Sequence, residues 1–140
     1  MIVFLDSSAL AKRYLEEDGS DRVAELWAAA TTVGISTLCP IEVVSALTRQ
    51  RRENRMNMAQ YALARASLFE DVDGVSVLAL TAEVVSRAIE LIEEAWPLRA
   101  LDALHVASAM HWSADLFVSA DRRQCAAARG AGLQVEELTP

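Results

Sequence analysis

Lysine is almost missing from this sequence, Lys12 being the only one, so its positive charge is nearly all arginine. Cysteine is scarce as well. Cys39 and Cys125 have no spaced partners of their own kind, which argues against a disulfide framework and against a cysteine zinc site. Both are expected as small buried side chains in a reducing compartment. No apolar run approaches the roughly 20 residues of a membrane-crossing helix, so no membrane span is expected. The opening Met1-Ile2-Val3-Phe4-Leu5-Asp6 lacks a basic region and soon meets a carboxylate. That is not the pattern of a signal peptide, and a cytoplasmic protein is expected. There is no internal repeat, no linker and no low-complexity tract. Residues 1–140 therefore read as one domain.

What is present is an ordinary globular composition: 53% hydrophobic and 24% charged over 140 residues, enough for one continuous core. The formal net charge is −7, which sits awkwardly with binding a polyanion. Arginines nevertheless cluster at Arg49-Gln50-Arg51-Arg52-Glu53-Asn54-Arg55 and at Arg122-Arg123. The guanidinium fork grips phosphate in a bidentate way, so placement matters more than the sum.

Short β-branched apolar runs alternate with longer helical patterns, the signature of a parallel βαβ architecture. Ile2 to Leu5 is apolar throughout, as in a strand covered on both faces. Asp6, Ser7 and Ser8 then cap a helix through Leu10, Tyr14 and Leu15, broken at Gly19-Ser20. A second helix is expected around Val23, Leu26 and Trp27, and a strand at 32–36. Ser36 and Thr37 can cap a helix over 38–52, with Pro40 in its first turn. After a turn at 54–57, a helix is expected over 58–69 and a strand over 75–78. Val85, Ala88, Ile89 and Ile92 give helical spacing over 81–95. Pro97 precedes a helix over 101–112. Then come a strand at 116–118, a short helix at 121–129 and a last strand near 133–135. The fold class is α/β: a three-layer α/β/α domain with a mainly parallel central sheet.

Four carboxylates occupy comparable places in that plan. Asp6 follows the first strand and Asp121 lies just past the fourth. Glu42 is early in the helix after the second strand, and Asp102 is in the first turn of a nearly all-apolar helix. In open parallel sheets ligands collect at the carboxyl ends of strands. Each acid has a plainer explanation too. Asp6 and Asp121 can be helix caps, and Glu42 can complement a helix dipole. Asp102 is harder to explain away, because little around it is polar and a lone buried carboxylate is costly.

The strings around these acids carry a resemblance. Val3-Phe4-Leu5-Asp6-Ser7-Ser8-Ala9-Leu10 resembles the opening signature of PIN domains. Glu42 stands at the second motif position, before Val43-Val44-Ser45-Ala46-Leu47. Leu98 to Ala107, centred on Leu101-Asp102-Ala103, resembles the third motif, and Phe117-Val118-Ser119-Ala120-Asp121 the fourth. Ser119 stands where the family often has threonine, which keeps the hydroxyl. Among PIN proteins the chain looks most like VapC toxins. That resemblance implies a ribonuclease, usually a homodimer, inhibited by a cognate VapB-like antitoxin.

The chemistry suits the residues. Phosphodiester hydrolysis needs an activated water and charge neutralisation on phosphate, both supplied by a divalent ion. Oxygen-only ligands point to Mg²⁺, or Mn²⁺ in its place, and away from zinc. Asp6 and Asp102 are the first candidates for direct ligands, with Asp121 and Glu42 direct, through water, or at a second site. Ser7, Ser8 and Ser119 can orient water, contact phosphate or merely cap helices, and Arg99 can reach a phosphate or a neighbouring carboxylate. His105 and His111 are set aside as packed or interface residues. Trp27, Trp96 and Trp112 are read as core or dimer contacts, and Met56 and Met58 as a partner-binding edge. Phosphotransfer proteins of the receiver or haloacid-dehalogenase type also place an aspartate after strand one. They depend on a late lysine that is missing here, and Ser8 breaks the Asp-x-Asp pattern. The remaining alternative is a degenerate PIN module that only binds, against which the presence of all four acids argues.

Overall fold

The computed structural model describes residues 1–94 and 97–138. The elements in chain order are β1 (Ile2–Leu5), α1 (Ser7–Ala11), α2 (Ser20–Ala29), β2 (Thr32–Ser36), α3 (Cys39–Arg52) and α4 (Met58–Gly74). They continue with β3 (Ser76–Leu78), α5 (Ala82–Glu93), α6 (Ala100–His111), β4 (Leu116–Ser119), α7 (Arg122–Gly130) and β5 (Val135–Glu137). The five strands form one sheet in the order β3-β2-β1-β4-β5, every neighbour pair parallel. This is the expected α/β architecture with helices on both faces.

Alternation along the strands divides the core in two. Val3, Leu5, Val33, Ile35 and Val118 face α1 to α4, while Phe4 and Phe117 face α5, α6 and α7. The two phenylalanine rings stack at 5.8 Å, joining β1 to β4. Burying each such ring contributes about 1.5–3 kcal/mol. Trp112 meets Phe4 edge-on at 6.5 Å and packs directly over Gly34 of β2, where a Cβ would stand 2.3 Å from the ring. Trp112 is thus a core residue. Trp27 packs on the other layer under the Arg13 guanidinium, 3.7 Å from its ring centroid. Ala95 and Trp96 lie outside the described residues, and with them the expected end of α5 and the reading of Trp96.

Several boundaries differ from the sequence reading, and tertiary contacts account for them. The first helix stops at Ala11 rather than reaching Leu15. Its ladder tightens there to bonds from Lys12 N to Ala9 O and Arg13 N to Leu10 O. Buried Lys12 then donates to the Asp18 carbonyl at 2.6 Å, drawing the following loop back. In contrast α4 runs five residues beyond Phe69, since Asp71 is held by Arg13 and Tyr14 at 2.9 and 2.7 Å. The third helix is capped by Leu38 without a side-chain bond, although Ser36 Oγ accepts from Leu38 N at 3.2 Å. The last strand lies two residues later than expected. Val135 pairs with Phe117, and the acids that follow are held by Arg22 and Arg129.

Candidate active site at the carboxyl edge of the sheet

The strand order reverses between β1 and β4, and such reversals open a crevice at the carboxyl ends of the strands. Asp6 and Asp121 stand at these two ends. Asp6 N donates to Val118 O at 3.2 Å, which closes the edge of the two strands against each other. Asp6 also caps α1: its Oδ1 accepts from Ala9 N at 2.9 Å and from Ser8 Oγ at 2.7 Å. Its Oδ2 accepts from Ser119 Oγ at 2.6 Å. Ser119 Oγ in turn accepts from Asp121 N, and Ser8 Oγ from Ala120 N, both at 2.9 Å. The two serines thereby tie one strand end to the other. Ser119 is fully buried in this role. Asp121 caps α7 through Arg123 N at 2.8 Å. For both aspartates, capping and membership of the cluster coincide.

The other two acids arrive from helices. Glu42, in the first turn of α3, accepts from Ser7 Oγ at 2.8 Å and meets His105 Nε2 at 2.6 Å through the same Oε1. Asp102, in the first turn of α6, accepts from Gln124 Nε2 at 3.0 Å. Gln124 follows Asp121 by three residues and so joins the starts of α6 and α7. His105 and Gln124 are the participants that sequence reasoning missed. A signal existed for each. His105 shares a helix face with Asp102, and Gln124 with Asp121, by the three-residue spacing.

Burial and charge act differently on the acids. Asp6 is fully buried, and burial raises its carboxyl above the usual range despite the nearness of His105 and three hydrogen bonds, which work the other way. Asp102 is raised by burial and then by the like charge of Asp121, with the Arg99 backbone bond opposing. For Glu42, burial works upward but is outweighed by His105 and Ser7, and the carboxyl lies below its usual range. Both thiols are free, and burial pushes them up, Cys125 to about 12, so neither offers a thiolate at neutral pH.

Arg99 caps α6 and is exposed, and Arg123 is exposed in the first turn of α7. Most other described arginines are paired with acids or rings. The arginine cluster of α3 lies away from this edge. Arg55 and Met56 line a groove of about 530 Å³ with Arg13, Tyr14, Gln50 and Leu63. Met58 is exposed beyond it, and so is His111 at the far end of α6.

Among the described residues, no three His, Cys, Asp or Glu groups already converge as a ready-made metal cage. Both oxygens of Asp6 and Oε1 of Glu42 are engaged by serines and His105, while the like charge of Asp121 acts on Asp102. Two like-charged carboxylates are a donor set of the kind a hard cation takes, and Mg²⁺ is commonly held by one or two carboxylates with waters completing its shell. The residues fit such an ion and do not fit structural zinc.

The all-parallel sheet, the helices on both its faces and the acids gathered at its carboxyl edge define an α/β protein built around a carboxylate-rich site. The PIN domain family model matches residues 3–130, and the chain belongs to that family. Among curated proteins none matches the sequence significantly. Solved structures share the fold. VapC20 of Mycobacterium tuberculosis, described as a Sarcin-Ricin loop cleaving toxin, is 21% identical, with 99% of each chain covered and a TM-score of 0.70. VapBC2 of Rickettsia felis, bound to a DNA fragment from its promoter, is 16% identical over 98% of each chain, with a TM-score of 0.68. A toxin–antitoxin complex from Klebsiella pneumoniae is 16% identical over 96% of this chain and 95% of that one, with a TM-score of 0.68. No described helix is long and apolar enough to cross a membrane.

Proposed function

We propose that the protein is a Mg²⁺- or Mn²⁺-dependent endoribonuclease acting as the toxin of a toxin–antitoxin pair, with a VapB-like antitoxin as its inhibitor and a homodimer as its working form. The carrying observation is a set of hydrogen-bonded acids placed about one strand-order reversal: Asp6 with Ser8 and Ser119, Glu42 with Ser7 and His105, Asp102 with Gln124, and Asp121 at the start of α7. Membership of the PIN family and the likeness in fold to toxins and their complexes support it.

Asp102 and Asp121 are the residues that would hold the ion, with Asp6 and Glu42 as the further candidates. A bound divalent ion supplies activated water at neutral pH and neutralises charge on the phosphate. The chain's own groups then bind and orient. Arg99 and Arg123, exposed at the starts of α6 and α7, are the groups to bind the phosphodiester, whose oxygens a guanidinium matches. Ser8 and Ser119 hold Asp6 in one rotamer and lock the two strand ends together.

The test is cleavage of RNA by purified protein with Mg²⁺ or Mn²⁺, with and without EDTA. Chelator should stop cleavage, and Asp102→Asn should abolish it in a folded protein. Cleavage that persists in excess EDTA removes the metal mechanism. A metal-replete protein that binds RNA without cutting it favours the degenerate, binding-only reading. Growth arrest on expression, relieved by a co-expressed antitoxin, is the expected sign of the toxin role.

A further inference from the structure

We propose that His105 is a positioning residue that fixes the Glu42 carboxylate for the candidate metal site by donating from Nε2 to Oε1. This rests on the ribonuclease reading of the site. His105 is 1% exposed on an otherwise apolar stretch of α6, yet its Nε2 lies 2.6 Å from a carboxylate 63 residues away. Ser7 Oγ donates to the same Oε1 at 2.8 Å and stands 3.3 Å from that ring nitrogen.

An ionised carboxylate only accepts hydrogen bonds, so both neighbours must donate to it, and Nε2 must carry a proton. His105 Nδ1 has no partner among the described residues. The neutral tautomer protonated on Nε2 leaves only a lone pair there, and buried unpaired acceptors are less rare than buried unpaired N–H groups. Glu42 therefore has Oε1 held by two donors from two different helices, while Oε2 keeps its lone pairs. The terminal torsion of a glutamate is otherwise broad. Pinning it removes the freedom that a carboxylate on the first turn of α3 would have.

The experiment measures kcat and KM on an RNA substrate at saturating Mn²⁺ for wild type, His105→Ala, His105→Gln, Glu42→Gln and the Glu42→Gln/His105→Ala double variant. Glutamine carries an amide N–H at about the reach of Nε2. His105→Ala should lower kcat about 10- to 100-fold, the range for residues that orient metal ligands, with KM little changed. His105→Gln should restore most of it, and the double variant should be no slower than Glu42→Gln alone. Additive losses, or a folded His105→Gln as slow as His105→Ala, overturn the proposal. A long-range ¹H–¹⁵N imidazole spectrum reads the contact without activity. It should show the Nε2–H tautomer in wild type and a change in Glu42→Gln. An Nδ1–H tautomer overturns the proposal even if RNA is cleaved. An intact Nε2–H signature in a protein that never cuts RNA keeps the contact and removes the nuclease reading.

Discussion

Replacing Asp6 by alanine and by asparagine separates two things this carboxylate does at once. It caps α1 and accepts two serine hydroxyls, and it carries a buried charge. Alanine loses all three hydrogen bonds. The cap is worth about 0.5–2 kcal/mol, and each hydroxyl left without its acceptor costs about 1–3 kcal/mol if it finds no substitute. Part of that is recovered when the buried charge goes. Asparagine keeps an acceptor for Ala9 N and Ser8 and sheds the charge, with the Ser119 hydroxyl turning to accept. Asp6→Ala should therefore fall about 2–4 kcal/mol below Asp6→Asn, on the order of 10 °C in Tm for a domain of this size. Asp6→Asn should be at least as stable as metal-free wild type at pH 7. The sign follows from burial. A carboxyl raised in the folded state contributes stability that is full below its unfolded value and lost as pH rises through the folded one. The advantage of Asp6→Asn over wild type should hence shrink on acidification. Thermal melts in EDTA at pH 7 and pH 5 measure both effects. Equal melting of the two variants refutes the capping account, and an asparagine variant far below wild type at pH 7 refutes the charge account.

Proton competition acts on metal binding: Mg²⁺ should raise Tm more at pH 7.5 than at pH 5, because the raised Asp6 and Asp102 carboxyls take up protons sooner as pH falls, as melts with and without the ion will show. Arg99→Gln and Arg123→Gln should each lower the slope of log binding constant against log salt by roughly 0.7 for single-stranded RNA, measured by anisotropy in the Asp102→Asn background; unchanged slopes would place the phosphates elsewhere. Gly34→Ala drives a methyl against the Trp112 ring and should cost about 1–3 kcal/mol in a denaturant melt, with a smaller loss if the ring swings aside.

Much of the plan was legible locally. The apolar strand at Ile2–Leu5, the caps at Asp6 and Asp121 and the nearly all-apolar α6 announce themselves, since burial on both faces and helix starts impose residue types within a few positions. Element ends were less legible. The length of α4 depends on Asp71 meeting Arg13 and Tyr14, and the place of β5 on its register with Phe117.

The site divides the same way. The places of Asp6, Glu42, Asp102 and Asp121, after strands and in first turns, allowed them to share one edge of the sheet without requiring it. Only the folded chain made Ser119 a buried prop for Asp6, Gln124 a partner of Asp102, and His105 a partner of Glu42. A periodic pattern states which face of an element is covered, because covering is a local demand on side-chain type. It does not state which polar group waits on that face, because the partner lies dozens of residues away and is chosen by how the layers pack.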